Sequence, residues 1–330
     1  MLLSLPFFPE QASTMAPRTD SLLYFLVAVS VFFSVLIGGT LIYFAIKYRR
    51  RSDRDRPPRI RSPLALEVVW IAIPVGLTMI MFMWGANLYI QIKRPPDNAT
   101  EVFVVGKQWM WKIQHMEGVR EINELHVPLG RPIKLTMTSE DVIHSFFVPA
   151  FRVKQDVLPG RYTTAWFQAT KVGSYDLFCA QYCGTDHARM IGRIIVMDPS
   201  AYDAWLSNSP GVAVASLGEK LFEQLGCVAC HRVTTPRGPS LVGLFGRRVR
   251  LQSGVTLVAD DAYVRESILD PAAKIVAGYE PIMPTFKGLV SEEGLLQLIA
   301  YIKSLQPVRG TPTPVGVAGL DPTPVSQDQP

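Results

Sequence analysis

All four cysteines of the chain fall into two short strings whose residue types suit redox chemistry. The first string runs from Cys179 to Met190 and holds two cysteines, a histidine and a methionine within twelve residues. Thiolate, imidazole and thioether are soft ligands, and together they favour copper over zinc, calcium or magnesium. The second string, Cys227-Val-Ala-Cys230-His231, has the attachment pattern of a c-type haem. The two strings predict a chain that carries electrons.

Three alternatives compete with a pair of copper ions at the first string. A structural zinc site leaves Met190 unexplained, because a thioether is a poor zinc ligand. A disulfide between Cys179 and Cys183 leaves His187 and Met190 without a role. A single blue-copper ion needs only one cysteine, so the second thiolate favours two copper ions bridged by both sulfurs. Such a site needs one more imidazole, and the candidates outside the haem string are His115, His126 and His144.

The haem string has a weaker alternative, a redox-active dithiol of the thioredoxin kind. In the haem interpretation both cysteines bond the vinyl groups and His231 supplies the proximal nitrogen. The sixth ligand of such a haem is usually a methionine. Met283 is the one methionine beyond Met197, and the prolines beside it predict an extended loop.

Two stretches without a charged residue, 21–46 and 68–90, each exceed the roughly 20 residues that a helix needs to cross a bilayer. The loop between them, 47–61, carries eight basic and two acidic residues. The positive-inside rule therefore places this loop in the cytoplasm and the chain after about residue 92 on the outer side. Since the loop accounts for the whole formal charge of +5, no basic surface for nucleic acid is expected elsewhere.

The first 20 residues lack a basic segment, and Pro6 and Pro9 interrupt their apolar stretch. A cleaved signal peptide therefore has little support. Met15 is an alternative start of the chain.

Seven runs rich in β-branched and aromatic residues predict strands at 101–106, 108–114, 133–137, 142–148, 163–167, 175–179 and 191–197. They predict a β-sandwich or Greek-key barrel with the first string in a loop at one end. Helical spacing over 214–226 and 291–305 predicts a small all-α region around the second string. We therefore predict a multidomain membrane protein with an N-terminal segment 1–20, a two-helix transmembrane hairpin 21–92, an all-β domain 95–208, an all-α domain 212–305 and a disordered proline-rich tail 306–330.

Within this frame the segments 139–149, 154–161 and 179–190 resemble subunit II of the cytochrome c oxidases. The resemblance implies a cupredoxin-like barrel that holds the binuclear copper centre CuA. It implies Cys179 and Cys183 as bridging thiolates, and as further ligands His144, His187, Met190 and the backbone carbonyl of Gln181. The family usually has glutamate where this chain has Gln181, and that carboxylate also touches a magnesium or manganese ion at the interface with the catalytic subunit. Glutamine removes this anionic ligand, which disfavours the interface metal.

The resemblance gives roles to two further residues. Trp109 corresponds to a tryptophan that receives electrons from a cytochrome c, and its alternative role is to pack the barrel. Glu67 corresponds to a glutamate at the mouth of a proton path into the catalytic subunit. Its alternative role is that of a carboxylate at the cytoplasmic edge of a helix.

The range 214–305 resembles a class I cytochrome c, in which the carbonyl of Pro239 would accept a hydrogen bond from His231. Subunit II joined to such a module resembles the caa-type oxidases of bacterial inner membranes, with both sites on the periplasmic side. Electrons would pass from a cytochrome c or another periplasmic donor to haem c, to CuA and to catalytic subunit I, which together with the other oxidase subunits reduces dioxygen to water and translocates protons.

Two alternatives remain open. The chain could receive electrons for a CuA-type nitric oxide reductase, or it could be a membrane-anchored copper and haem shuttle without its own oxidase. A quinol oxidase subunit is disfavoured, because that relative lacks the copper ligands that this chain retains.

Overall fold

The computed structural model describes residues 8–52, 63–209, 211, 213–231 and 237–305. Most of the predicted cytoplasmic loop, and all of the tail 306–330 that we expected to be disordered, lie outside these ranges. Along the described chain two long helices come first, ten strands follow, and a mainly helical region comes last.

The two N-terminal helices are α1, Ala16–Lys47, and α2, Leu64–Lys93. Pro17 lies in the first turn of α1, where a missing N–H costs no hydrogen bond. Both helices are long and apolar enough to cross a membrane, and the most apolar window of each is not buried by other parts of the protein. They are the transmembrane anchor that the sequence predicted.

The segment before α1 is built into the β-domain. The backbone N–H of Ala12 donates to the carbonyl of Ala150 over 3.0 Å, and Thr170 donates to the carbonyl of Ala12 over 2.9 Å. Ala12 itself is fully buried in the core of the domain. The buried carboxylate of Asp20 in α1 pairs with Arg152 over 2.8 Å. The described residues before Met15 are therefore a structural part of this fold.

The β-domain is a sandwich of two five-stranded sheets, and it is called the barrel below. Its strands are β1 Thr100–Lys107, β2 Met110–His115, β3 Arg120–Ile122, β4 Glu124–Pro128, β5 Pro132–Ser139, β6 His144–Val148, β7 Val153–Val157, β8 Thr163–Gln168, β9 Gly173–Cys179 and β10 Ile191–Met197. One sheet has the order β3-β2-β1-β5-β8 and the other β4-β10-β9-β6-β7. The β1–β5 and β4–β10 pairs are parallel, and the other pairs are antiparallel.

All seven predicted strands are present, but the sequence did not reveal β3, β4 and β7. These three strands are short and carry charged residues such as Glu121, Glu124 and Lys154, which mask the apolar signal. Strand β6 also begins later than predicted, at His144, because Asp141 turns the chain just before it by accepting from the backbone N–H of Val142.

The C-terminal region contains α4 Val214–Gln224, α5 Asp261–Leu269 and α6 Glu292–Ser304, with α3 Pro199–Asn208 preceding them on the barrel. The hydroxyl of Ser291 caps α6 by accepting from the backbone N–H of Gly294 over 3.1 Å. A short hairpin, β11 Arg248–Arg250 with β12 Thr256–Val258, was not predicted. Helices α4 and α6 cross closely at Gly218, where there is no room for a side chain.

Candidate metal centre and haem pocket

The first string forms a loop, residues 179–190, that closes one end of the sandwich; we call it the copper loop. Cys179 ends β9, and its backbone N–H donates to the carbonyl of Met190 just before β10, which closes the base of the loop. His144 begins the neighbouring strand β6 and is fully buried. Adjacent strands therefore bring residues 35 positions apart to one place.

The donor atoms of this loop converge. The Sγ atoms of Cys179 and Cys183 are 3.7 Å apart, and Nδ1 of His144 lies 3.9 Å from the sulfur of Cys179. The sulfur of Cys183 lies 3.4 Å from Nδ1 of His187 and 3.9 Å from Sδ of Met190. All five side chains named by the sequence therefore surround one small space.

The sixth predicted group, at Gln181, reaches this space through its backbone. The carbonyl oxygen of Gln181 lies 3.2 Å from Sγ of Cys179, while its side chain is exposed to solvent. The carbonyl thus has the position expected of a weak ligand, whatever the side chain is.

Both cysteines are free thiols, so the disulfide alternative does not describe this structure. Their sulfurs stand much further apart than the roughly 2.05 Å of a disulfide bond. Burial opposes the ionisation of both thiols. At Cys183, burial and the neighbouring Cys179 thiolate together raise the pKa. Hydrogen bonds with His144 and with the backbone at Ser145 outweigh burial at Cys179 and lower its pKa. Two adjacent thiolates thus require a cation, and the buried soft donors fit copper.

Three residues outside the string hold the site in place. Asp141 accepts from Nε2 of His144 over 2.8 Å, which leaves Nδ1 free to bind a metal. The indole N–H of Trp109 and the side-chain amide of Gln108 both donate to the carbonyl of Cys183, over 3.2 and 2.8 Å. Trp109 therefore both packs on the barrel and touches the copper loop. Sequence reasoning missed Asp141, although its spacing of three from His144 was a usable signal.

The other two histidines of the barrel lie away from the copper loop. Glu121 accepts from Nε2 of His115 over 2.7 Å, from Nδ1 of His126 and from the backbone N–H of His126. Trp205 of α3 stacks on His126 with a ring-centroid distance of 4.5 Å. This cluster fixes α3 to the barrel, and of the three candidate imidazoles only His144 reaches the copper loop.

The second string lines a cavity of about 260 Å³ in the C-terminal region. Cys227, Cys230, His231 and Met283 all line it, together with apolar side chains such as Leu298 and Phe286. Nδ1 of His231 donates to the carbonyl of Pro239 over 2.8 Å, the contact expected from the sequence. The ring is thereby oriented with Nε2 free to bind a metal. A cysteine pair, an oriented imidazole and a thioether around an apolar cavity fit a covalently bound haem.

Glu67 lies far from both sites. It occupies the first turn of α2, whereas the barrel follows the other end of this helix, about 40 Å away at 1.5 Å per residue. A carboxylate in the first turn also interacts favourably with the helix dipole. Both roles considered for Glu67 stay predictions.

Comparison with known proteins gives matches over both halves of the chain. Residues 114–198 match the family described as cytochrome c oxidase subunit II, periplasmic domain, and residues 215–306 match the family described as cytochrome c. Cytochrome c oxidase subunit 2 of Alkalihalophilus pseudofirmus is 29% identical over 297 residues, which cover 85% of this chain and 85% of the relative.

A second relative and a solved structure match part of the chain. The alternative cytochrome c oxidase subunit 2 of Bradyrhizobium diazoefficiens is 32% identical over 171 residues, covering 42% of this chain and 62% of the relative. The crystal structure of the periplasmic domain of subunit II of cytochrome oxidase from Bradyrhizobium japonicum is 31% identical and covers 35% of this chain and 96% of its own, with a TM-score of 0.34. The two family matches include every candidate ligand at the copper loop and at the cavity, whereas Gln108 and Trp109 precede the first matched range.

Proposed function

The chain unites a cytochrome c oxidase subunit II domain with a cytochrome c domain, and from this premise we propose that it is the subunit through which electrons enter a haem-copper terminal oxidase. Copper and haem c are the cofactors that these two domains imply. The observation that carries the proposal is the convergence of two thiols, two imidazoles and a thioether in one chain that also holds a haem-type cavity.

At the copper loop we propose a binuclear centre. Cys179 and Cys183 would bridge the two ions, while His144, His187, Met190 and the carbonyl of Gln181 would complete their coordination. A copper pair held by shared thiolates supplies a one-electron redox couple with little change in geometry. The protein contributes burial of the sulfurs, orientation of His144 by Asp141, and hydrogen bonds from Gln108 and Trp109 that hold the loop.

In the C-terminal domain we propose that Cys227 and Cys230 would bond the haem and that His231 and Met283 would ligate its iron. The haem supplies a second one-electron couple, whose potential a methionine ligand raises. Pro239 orients His231, and the apolar wall of the cavity would keep water away from the haem.

The remaining partners follow from this order of centres. Electrons would pass from a periplasmic donor, such as a cytochrome c, to the haem, to CuA and to catalytic subunit I, where dioxygen reduction coupled to proton translocation takes place. Tethering the haem domain to the copper domain raises its effective concentration toward the millimolar range. We propose a bacterial inner membrane location with both sites in the periplasm, Trp109 as a point where electrons enter, and Glu67 at a proton path.

The domain bounds 95–208 and 212–305 stay predictions. The expectation that Gln181 disfavours an interface magnesium or manganese ion also stays a prediction. Both family matches fall largely within these bounds, since they span 114–198 and 215–306.

The test is purification of the full chain from membranes with whatever catalytic subunit accompanies it. We expect two copper ions and one covalent haem per chain, a delocalised mixed-valence copper EPR signal, and oxygen consumption when a cytochrome c donates electrons. Cys183→Ser should abolish the EPR signal and leave the haem spectrum intact.

Other results would redirect or reject the proposal. Nitric oxide reduction without oxygen consumption would assign the chain to a nitric oxide reductase. Both metal centres without any catalytic partner would support the shuttle alternative. One copper ion with a blue-copper spectrum would contradict the binuclear site.

A further inference from the structure

The cytochrome c domain is packed against one face of the barrel, and this contact has the features of a specific protein interface. Strand β1 alternates, with Val102 and Val104 in the barrel core and with Phe103 and Val105 on the opposite face. The latter two belong to a separate buried cluster with residues of the cytochrome domain, namely Val214, Leu296 and Ala300. Phe103 is 1% exposed, so the outer face of this sheet is covered here.

Two long side chains cross this interface in opposite directions. Tyr162, from the loop before β8, packs against both the interface cluster and the core of the cytochrome domain. Arg265, from α5 of the cytochrome domain, donates to the carbonyl of Gly160 in that same barrel loop over 2.7 Å. The guanidinium of Arg265 also lies 5.7 Å from the ring centre of Tyr162 and pairs with Glu292. Tyrosine and arginine are among the residue types that carry most of the binding energy in protein interfaces.

Charged pairs surround this centre. Lys303 of α6 lies 3.6 Å from Glu101 of β1, and Arg120 of β3 lies 2.9 Å from Glu293 of α6. An apolar centre, a partly buried tyrosine, a buried arginine and a charged rim are the features of a specific interface.

The connection between the domains is also fixed to the barrel. The backbone N–H of Val214 donates to the carbonyl of Met116 over 3.1 Å, and Val214 is fully buried. Gly211 passes so close to the β2–β3 turn that a Cβ atom there would lie 2.8 Å from the backbone of Gly118. The described part of the connection therefore lies against the β2–β3 turn of the barrel.

The interface lies between the two candidate redox sites. Leu298 and Ile302 of α6 line the haem cavity, while Leu296 and Ala300 of the same helix meet Val105 of β1. The next residue, Gly106, is in contact with His144, since a Cβ atom at Gly106 would lie 3.0 Å from Cδ2 of that ring. Packed protein thus connects the haem cavity with a proposed copper ligand through α6 and β1.

We propose that the cytochrome c domain is docked on the β1 face of the barrel as a fixed internal donor, anchored by Tyr162 and Arg265, and that electrons pass from haem to copper in this docked position. The inference rests on the proposed function, because it requires both centres. It adds the surface on which the two domains meet and the residues that hold them there.

The test measures electron transfer from haem c to copper within the full chain, in complex with its catalytic partner, after a light pulse has reduced the haem through a photoreductant. Tyr162→Ala and Arg265→Met should each slow this step by about tenfold or more, as expected for central interface residues. Tyr162→Phe keeps the ring and should restore the rate. Arg131→Met, which removes an exposed pair with Asp203 within the barrel region, is the matched control and should change the rate by no more than about twofold.

A structural readout separates docking from damage. In the anchor variants the haem spectrum and the copper EPR signal should remain, while amide hydrogen exchange should accelerate on β1 and on the face of α6 that meets it. As a second approach, Arg120→Glu and Glu293→Arg should each slow transfer by about two- to fivefold, the scale of an exposed ion pair, and the double variant should recover it.

Two results would overturn the dock. In the first, the anchor variants transfer electrons at the unaltered rate with both centres intact and with unaltered exchange on β1. In the second, exchange on β1 is faster but the transfer rate is still unaltered. Absence of haem-to-copper transfer in the unaltered chain, with both centres present, would instead contradict the proposed function.

Discussion

Asp141 accepts a hydrogen bond from Nε2 of His144 over 2.8 Å, and this fixes Nδ1 as the nitrogen that faces the thiol of Cys179. Asp141 is itself held by the backbone N–H groups of Gln108 and Val142, each over 2.7 Å. Gln108 also donates to the carbonyl of Cys183, so the same short segment supports both the imidazole and the copper loop. The geometry of the candidate ligands is therefore set by neighbours that are not themselves proposed as ligands.

From this relationship we expect Asp141→Ala to weaken copper binding about 10- to 100-fold, the usual cost of removing a carboxylate that orients a metal-bound histidine. The measurement is a copper titration against a chelating competitor, together with the copper EPR signal. Asp203→Ala, which removes an exposed carboxylate of α3, is the control and should bind copper normally. Equal affinities of the two variants would show that His144 does not need its partner.

Removal of copper should leave a thiol pair that oxidises readily. The sulfurs of Cys179 and Cys183 are 3.7 Å apart, and a small movement brings them to the disulfide length of about 2.05 Å. We expect the metal-free protein to lose two titratable thiols in air and to bind copper again only after a thiol reductant has been added. Mass spectrometry of the peptide 179–190 checks this, with the Cys183→Ser variant as control. Persistent free thiols in oxidised metal-free protein would contradict the expectation.

Much of the candidate site could be predicted from the sequence, because most of its candidate ligands lie in two compact strings. Cys179, Cys183, His187 and Met190 share one loop, so the strands need only close that loop correctly. His144 is distant in sequence, and residue types alone could not separate it from His115 and His126. The structure separates them because Glu121 engages the other two histidines.

The docked arrangement of the domains was not predicted. The apolar run Val102–Val105 signals a strand buried on both faces, and this was a usable indication that something covers β1. Arg265, however, resembles an ordinary surface residue of a helix until Gly160 and Tyr162 are placed beside it. Contacts between separate domains leave no periodic pattern in the sequence.

Glu121 predicts a specific dependence of stability on pH. Burial opposes its ionisation, but hydrogen bonds with His115 and His126 outweigh burial and hold its pKa below the ordinary value of 4.5. The folded state therefore favours the carboxylate, and its contribution is present above pH 4.5 and is lost as the pH falls through the lowered pKa. Glu121→Gln should destabilise the barrel by about 1–3 kcal/mol at neutral pH.

The measurement for Glu121 is denaturant unfolding of the full protein between about pH 3 and about pH 7, a range that brackets the ordinary pKa of a glutamate side chain. The loss of stability at low pH should be shallower in Glu121→Gln than in the unaltered protein. Glu124→Gln, at an exposed position on the neighbouring strand, is the control and should leave the slope unchanged. Parallel pH profiles for all three proteins would mean that Glu121 has no lowered pKa.

The crossing of α4 and α6 gives a prediction for the haem domain alone. A Cβ atom at Gly218 would lie 1.9 Å from the carbonyl oxygen of Gln297 and 2.8 Å from Cβ of Tyr301, so the two helices would have to move apart. Gly218→Ala should therefore destabilise this domain by about 1–3 kcal/mol, the typical cost of overpacking. Thermal unfolding followed at the haem Soret band should show a lower midpoint, by about 4–8 °C for each kcal/mol in a domain of this size.

The control for this prediction is Ser216→Ala, an exposed change on the same helix that adds no atom to the crossing. Its midpoint should equal that of the unaltered chain, because the contact between α4 and α6 is untouched. The copper EPR signal should remain in both variants, since the copper loop belongs to the barrel. If Gly218→Ala unfolds at the same temperature as Ser216→Ala, the close crossing at Gly218 is not needed for the stability of the haem domain.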